Sequence, residues 1–131
     1  MPIKVLLVDD DPDFIEFASL GIQGLPVELH MAQDGVEGLE VFMRERPKVV
    51  VTDIMMPKMN GVDLVKKLKE IDPNLMVITV TGYPDYISKF EGLSKLIRMS
   101  LYKPLNLDDL VESVDLLVSN VKLKLDESGS D

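Results

Sequence analysis

The chain has 131 residues, with 14 basic and 23 acidic side chains, a formal net charge of −9 and no cysteine. That length suits one domain with its own core. The charge opposes direct binding to nucleic acid or anionic lipid, and the lack of thiols excludes disulfides, thiol nucleophiles and cysteine-ligated zinc. Apolar residues at 46% and charged residues at 28% are the proportions of a globular protein rather than a disordered one. The opening run MPIKVLL is too short for a signal-peptide core and meets acids at once. No stretch approaches the about 20 apolar residues that a membrane span needs. A soluble, cytoplasmic protein is expected.

In chain order, short apolar runs alternate with longer amphipathic stretches. Residues 3–8 read as a buried strand. Behind it Asp11 suits a helix cap and Pro12 the first helical position, and Phe14, Phe17, Ala18 and Gly21 mark one helical face. Residues 27–31 form a second strand, followed by Gln33 and Asp34, with its His30 read as structural. Residues 49–52 form a third strand that surfaces at Asp53, where Pro57 and Asn60-Gly61 fix a turn and launch a helix along Leu64, Val65, Leu68 and Ile71. A fourth strand, residues 75–80, ends at Thr81-Gly82 and leads into a weakly marked helix over residues 85–95. A fifth, residues 97–102, ends at Lys103-Pro104.

Asn106 suits the cap of the last helix, with Asp108 and Asp109 in a first turn where the dipole favours acids. Its apolar stripe runs from Leu107 through Leu110, Val111, Val114, Val118 and Val121 to Leu125. The last six residues, DESGSD, carry no apolar side chain. The domain is therefore read as residues 1–125 with an extended last helix, and 126–131 as a disordered tail. Beyond the closed domain, that helix serves as a linker, a dimer seam or a frayed end.

Near-continuous Val, Ile and Leu in the first, third and fourth runs is the pattern of strands buried on both faces. The βα alternation predicts an α/β fold, a doubly wound five-stranded parallel sheet with right-handed crossovers. Ligand sites in such sheets lie beyond the carboxyl ends of the strands. Asp9, Asp10, Asp53, Thr81 and Lys103 are all placed there. Singly, each has a plainer role, since acids after strands cap helices and a strand-end lysine is commonly just solvated. Together, carboxylates this close repel unless protonated or neutralised. An all-oxygen set suits Mg²⁺, which takes one or two carboxylates, keeps several waters and accepts a phosphate oxygen.

Four pieces, LLVDDD, VVVTDIMMPKMNG, VITVTGYPD and LYKPL, stand in this order. In them the chain resembles the receiver domain of two-component response regulators, the CheY-like superfamily, over residues 3–118. The resemblance implies a (βα)5 flavodoxin-like fold with strand order 2-1-3-4-5. It implies that Asp53 accepts a phosphoryl group, that Asp9 and Asp10 hold Mg²⁺ with Asp10 the more direct ligand, and that Met55 adds its backbone carbonyl. It makes Thr81 the hydroxyl that bonds the phosphoryl group and Lys103 its cationic partner, with a cis Lys103–Pro104 peptide. The implied partners are a sensor histidine kinase or a phosphotransfer protein, and a downstream effector or output domain that reads a surface of the fourth helix, fifth strand and fifth helix. The chain would be no enzyme beyond catalysing its own phosphorylation and dephosphorylation.

Three positions qualify this. Ser100 stands where receivers usually carry Tyr or Phe, three residues before the lysine, with Tyr102 on the same strand face. Met55 and Tyr83, each two residues after a site residue, are either shields that slow loss of the phosphoryl group or, for Met55 with Met56 and Met59, gap-fillers. The charged set of one common receiver dimer class is missing from the last helix. A phosphohydrolase would need a second aspartate where Met55 stands. An FMN binder would need a Ser/Thr/Gly-rich loop in place of DDDPDF. The alternative kept is a degenerate receiver that binds partners without phosphorylation.

Overall fold

Five parallel strands form one sheet in the computed structural model, which describes residues 2–56, 58–90 and 92–129. They are β1 (Ile3–Val8), β2 (Val27–Ala32), β3 (Val49–Asp53), β4 (Met76–Thr81) and β5 (Met99–Tyr102), in spatial order β2-β1-β3-β4-β5. This is the expected order and direction. The neighbours of β3 are set by Val51 opposite Leu7 on β1 and Ile78 on β4.

Period-2 alternation divides the core in two. Val5, Leu7, Val49, Val51, Ile78 and Val80 face one side of the sheet. Leu6, Val8, Val50 and Val77 face the other. Every residue of β3 and β4 is buried, which is why those runs lack polar alternation. Helices α1 (Pro12–Ile22) and α6 (Leu107–Gly129) cover the first face, while α2 (Gly35–Glu45) and α3 (Gly61–Ile71) cover the second.

The helix starts follow their local chemistry. Asp11 accepts from the Asp13 N–H at 3.0 Å with Pro12 behind it, Asp34 from Glu37 at 2.8 Å, Asn60 from Asp63 at 3.0 Å and Asn106 from Asp108 at 2.8 Å. Each bond satisfies an N–H that has no partner inside its helix. The turn role expected of Pro57 lies outside the described residues.

Two elements differ from expectation. The fourth helix is two short pieces, α4 (Pro84–Ser88) and α5 (Leu93–Leu96). Gly92, at φ 78°, takes the left-handed conformation that separates them. Ile87 and Leu93 anchor the pieces to the same core. The last helix does not stop near Leu125 but runs on to Gly129. Residues 130 and 131 of the expected tail lie outside the described residues. No helix among the described residues is long and apolar enough to cross a membrane.

Candidate functional site

The backbone ladder delivers the site residues to one edge. Asp9 extends β1, its N–H donating to the Ala32 carbonyl at 3.1 Å. Asp53 ends β3 opposite Val80. Lys103 follows β5, its N–H donating to the Thr81 carbonyl at 2.9 Å, and the Lys103–Pro104 peptide is cis, as expected.

Four of the expected residues converge. Carboxylate oxygens of Asp9, Asp10 and Asp53 lie within 4.8 Å of one another. Lys103 Nζ donates to Asp9 Oδ2 at 2.9 Å and to Asp53 Oδ2 at 3.2 Å. Asp9 and Asp53 are buried and Asp10 is exposed. The adjacent acids thus differ in role: Asp9 points inward, Asp10 outward, and Asp11 caps α1.

Burial pushes the Asp9 carboxyl above its ordinary pKa, and the Asp11 N–H bond and Lys103 only partly reverse this. For Lys103, burial opposes the charged form, yet hydrogen bonds and the charges of Asp9 and Asp53 outweigh it and hold its pKa above the usual value. One lysine does not balance three acids. The remaining negative charge, the all-oxygen donors and the open side at Asp10 fit a hard divalent cation such as Mg²⁺.

The turn behind Asp53 is tied to it. The Met55 N–H donates to Asp53 Oδ1 at 3.2 Å, and the Gly61 N–H donates to the Ile54 carbonyl at 2.8 Å. A Cβ on Gly61 would run into the Asp53 carbonyl oxygen and come within 2.6 Å of the Ile54 Cα. Glycine is required there for close backbone approach.

Thr81 is buried at the end of β4, where its hydroxyl accepts from the Tyr83 N–H at 3.1 Å. The Met55 and Tyr83 side chains are both exposed. Ser100 sits opposite Thr79 and shares a 3.1 Å hydroxyl hydrogen bond with it, whereas Tyr102 is opposite Thr81. His30 lies away from this edge. Its Nε2 meets Glu28 Oε2 at 2.7 Å and Glu45 Oε1 at 3.6 Å, and Lys4 and Arg44 already engage these carboxylates.

One contributor escaped the sequence reading. The Lys103 ammonium lies 4.4 Å from the centre of the Phe14 ring, within cation–π range. Phe14 reads in sequence as part of a core stripe. Its contact depends on β5 ending beside the start of α1, which no local spacing signals.

Comparison with known proteins agrees with this geometry. The response regulator receiver domain family matches residues 5–115. Response regulator MprA of Mycobacterium ulcerans (strain Agy99) is 33% identical over 130 residues, covering 98% of this chain and 55% of MprA. The chain thus spans about half the length of the curated relatives it matches. A CheY-like receiver domain protein from Methanospirillum hungatei JF-1 superposes with a TM-score of 0.86 at 25% identity, covering 95% of this chain and 99% of that one. The receiver domain of AraT from Geobacillus stearothermophilus gives 0.84 at 31% identity, with coverage of 95% and 99%. With the sheet order, the acidic edge and the family match in agreement, the chain belongs to the receiver domains of two-component response regulators.

Proposed function

We propose that the protein is a phospho-accepting switch in which Asp53 takes a phosphoryl group from a phosphohistidine donor. The observation that carries this is Lys103 Nζ bridging Asp53 Oδ2 and Asp9 Oδ2 at the rim of a buried strand. An Asp53 carboxylate oxygen forms the new P–O bond as the donor's P–N bond breaks, and the imidazole leaves with the nitrogen lone pair. The product is an aspartyl phosphate. Asp9, Asp10 and Asp53, with the Met55 carbonyl, would hold Mg²⁺. Once bound, the ion supplies positive charge beside the transferring oxygens. Lys103 adds a second positive charge on the other side, and the Met55 N–H holds the nucleophile in place.

The Thr81 hydroxyl then turns from the Tyr83 N–H toward the new acceptor oxygens, drawing the segment after β4 inward. Output is a changed surface around α4, α5, β5 and the start of α6, read by an effector or output domain. Tyr102, opposite Thr81 in the ladder, is proposed to follow that motion in place of the aromatic that Ser100 replaces. A sensor histidine kinase or phosphotransfer protein as donor, and a cytoplasmic location, belong to this reading. So does the absence of any enzyme activity beyond self-phosphorylation and self-dephosphorylation.

Incubation with acetyl phosphate and Mg²⁺, followed by intact-mass measurement, tests the proposal. One phosphoryl adduct is expected, absent from Asp53→Asn and absent without Mg²⁺. No adduct with any donor would favour the phosphorylation-independent binding module. The side chains at Met55 and Tyr83 are proposed to slow water attack, so the adduct should outlast seconds in Mg²⁺. Met55→Ala with Tyr83→Ala should shorten its lifetime several-fold; an unchanged lifetime would remove their shielding role.

A further inference from the structure

The end of the sheet opposite Asp53 carries a cleft of about 520 Å³, between the loop after α3, the end of α5, the start of β5 and the far half of α6. Among the described residues its charged lining is Lys69, Lys95, Arg98 and Lys124, with no acidic side chain, in a chain whose net charge is −9. The charged lining is therefore opposite in sign to the net charge of the molecule.

Lys69 is already engaged, since its Nζ donates to the carbonyls of Pro73 at 2.7 Å and Leu75 at 2.8 Å just beyond α3. Lys95 lies in the last turn of α5, where the helix dipole alone would favour it. Arg98 and Lys124 have no such role, for Arg98 precedes β5 and Lys124 sits before the last turn of α6. Among the described residues, Lys95, Arg98 and Lys124 have no carboxylate partner. Beside them lie half-buried Leu96 and Ile97 and a 61% exposed Leu123.

We propose that this cleft binds an acidic polypeptide segment carrying an aliphatic anchor. Charge complementarity selects the acids, and the wall of Leu96, Ile97 and Leu123 takes the anchor. The Arg98 guanidinium accepts a carboxylate through paired N–H donors. A phosphate ligand fits less well. α3, α5 and α6 all turn their carboxyl ends toward the cleft, so among the described residues no helix N-terminus cradles a phosphate, and no aromatic side chain lines it to stack a base.

The probe is a fluorescein-labelled peptide of alternating Glu and Leu, titrated with the full chain and followed by anisotropy, beside a Gln-Leu counterpart. The Glu peptide should bind at least about tenfold tighter than the Gln peptide, and added salt should weaken it. Its backbone-amide NMR shifts should centre on residues 95–98 and 120–124. Arg98→Glu with Lys124→Glu should lower affinity at least about tenfold, with a urea midpoint confirming the fold, and Lys95→Gln should lower it less. Equal binding of the two peptides, shifts centred elsewhere, or affinity untouched by charge reversal would overturn the proposal. So would tighter binding of pyrophosphate at the same amides. Low-salt self-association lost in the double variant would make a second copy the occupant, and would also overturn it.

Discussion

Asp9 and Gly61 shape the surroundings of Asp53 in different ways. Asp9 is a buried carboxylate whose pKa is raised first by desolvation. A raised pKa means that its contribution to stability is complete below the ordinary carboxylate value and is lost as pH rises through the raised one. Where its charged form prevails, the metal-free protein therefore keeps a carboxylate that burial disfavours. Asp9→Asn should raise the metal-free urea midpoint at neutral pH, with the gain shrinking as pH falls. The same variant should bind Mg²⁺ more weakly. A metal-free midpoint lower than wild type at neutral pH would contradict this. Gly61 acts by absence, since the Asp53 carbonyl fills the space of its side chain. Gly61→Ala should cost on the order of 2 kcal/mol in urea unfolding and weaken Mg²⁺ binding, because the displaced atom belongs to the Asp53 peptide. A change within about 0.5 kcal/mol would show that the turn yields.

At the scale of elements, α6 separates packing from display. Leu117 is 1% exposed within the core and Leu123 is 61% exposed. Leu117→Ala should cost about 3 kcal/mol in urea unfolding, and Leu123→Ala less than about 0.5 kcal/mol. Equal costs would mean that the far half of the helix is packed rather than displayed. The elements that were legible in sequence share one physical property. β1, β3 and β4 are buried on both faces, so hydrophobicity alone marks them, and α3 and α6 carry a stripe matched to one core face. The helical pieces between Pro84 and Leu96 are not legible, because each is at most five residues long and they are separated at Gly92, too short to show a helical stripe. Much of the site was legible for a related reason. Asp9, Asp53 and Lys103 are polar residues that directly follow or end apolar strands, and strand ends share one edge. The Phe14 ring under Lys103 and the Thr79–Ser100 hydrogen bond were not, since both depend on which strands become neighbours.

For the whole molecule, charge is distributed by end. The acids of the functional edge gather around Lys103, and among the described residues Lys95, Arg98 and Lys124, which have no carboxylate partner, line a cleft at the opposite end of the sheet. Between them β3 is buried throughout and flanked on both sides, so Asp53 ends a fully packed central strand, whereas Gly82 and Tyr83 after Thr81 are exposed. The proposed switch uses that contrast, with the acceptor on the packed strand and the response in the exposed segment. The proposed function makes Asp53, and neither Asp9 nor Asp10, the acceptor. The direct measurement is to treat the protein with acetyl phosphate and Mg²⁺, reduce the acyl phosphate with borohydride, and locate the reduced residue by peptide mass spectrometry. The account expects homoserine at position 53 alone; reduction at position 9 or 10, or at no residue, would contradict it.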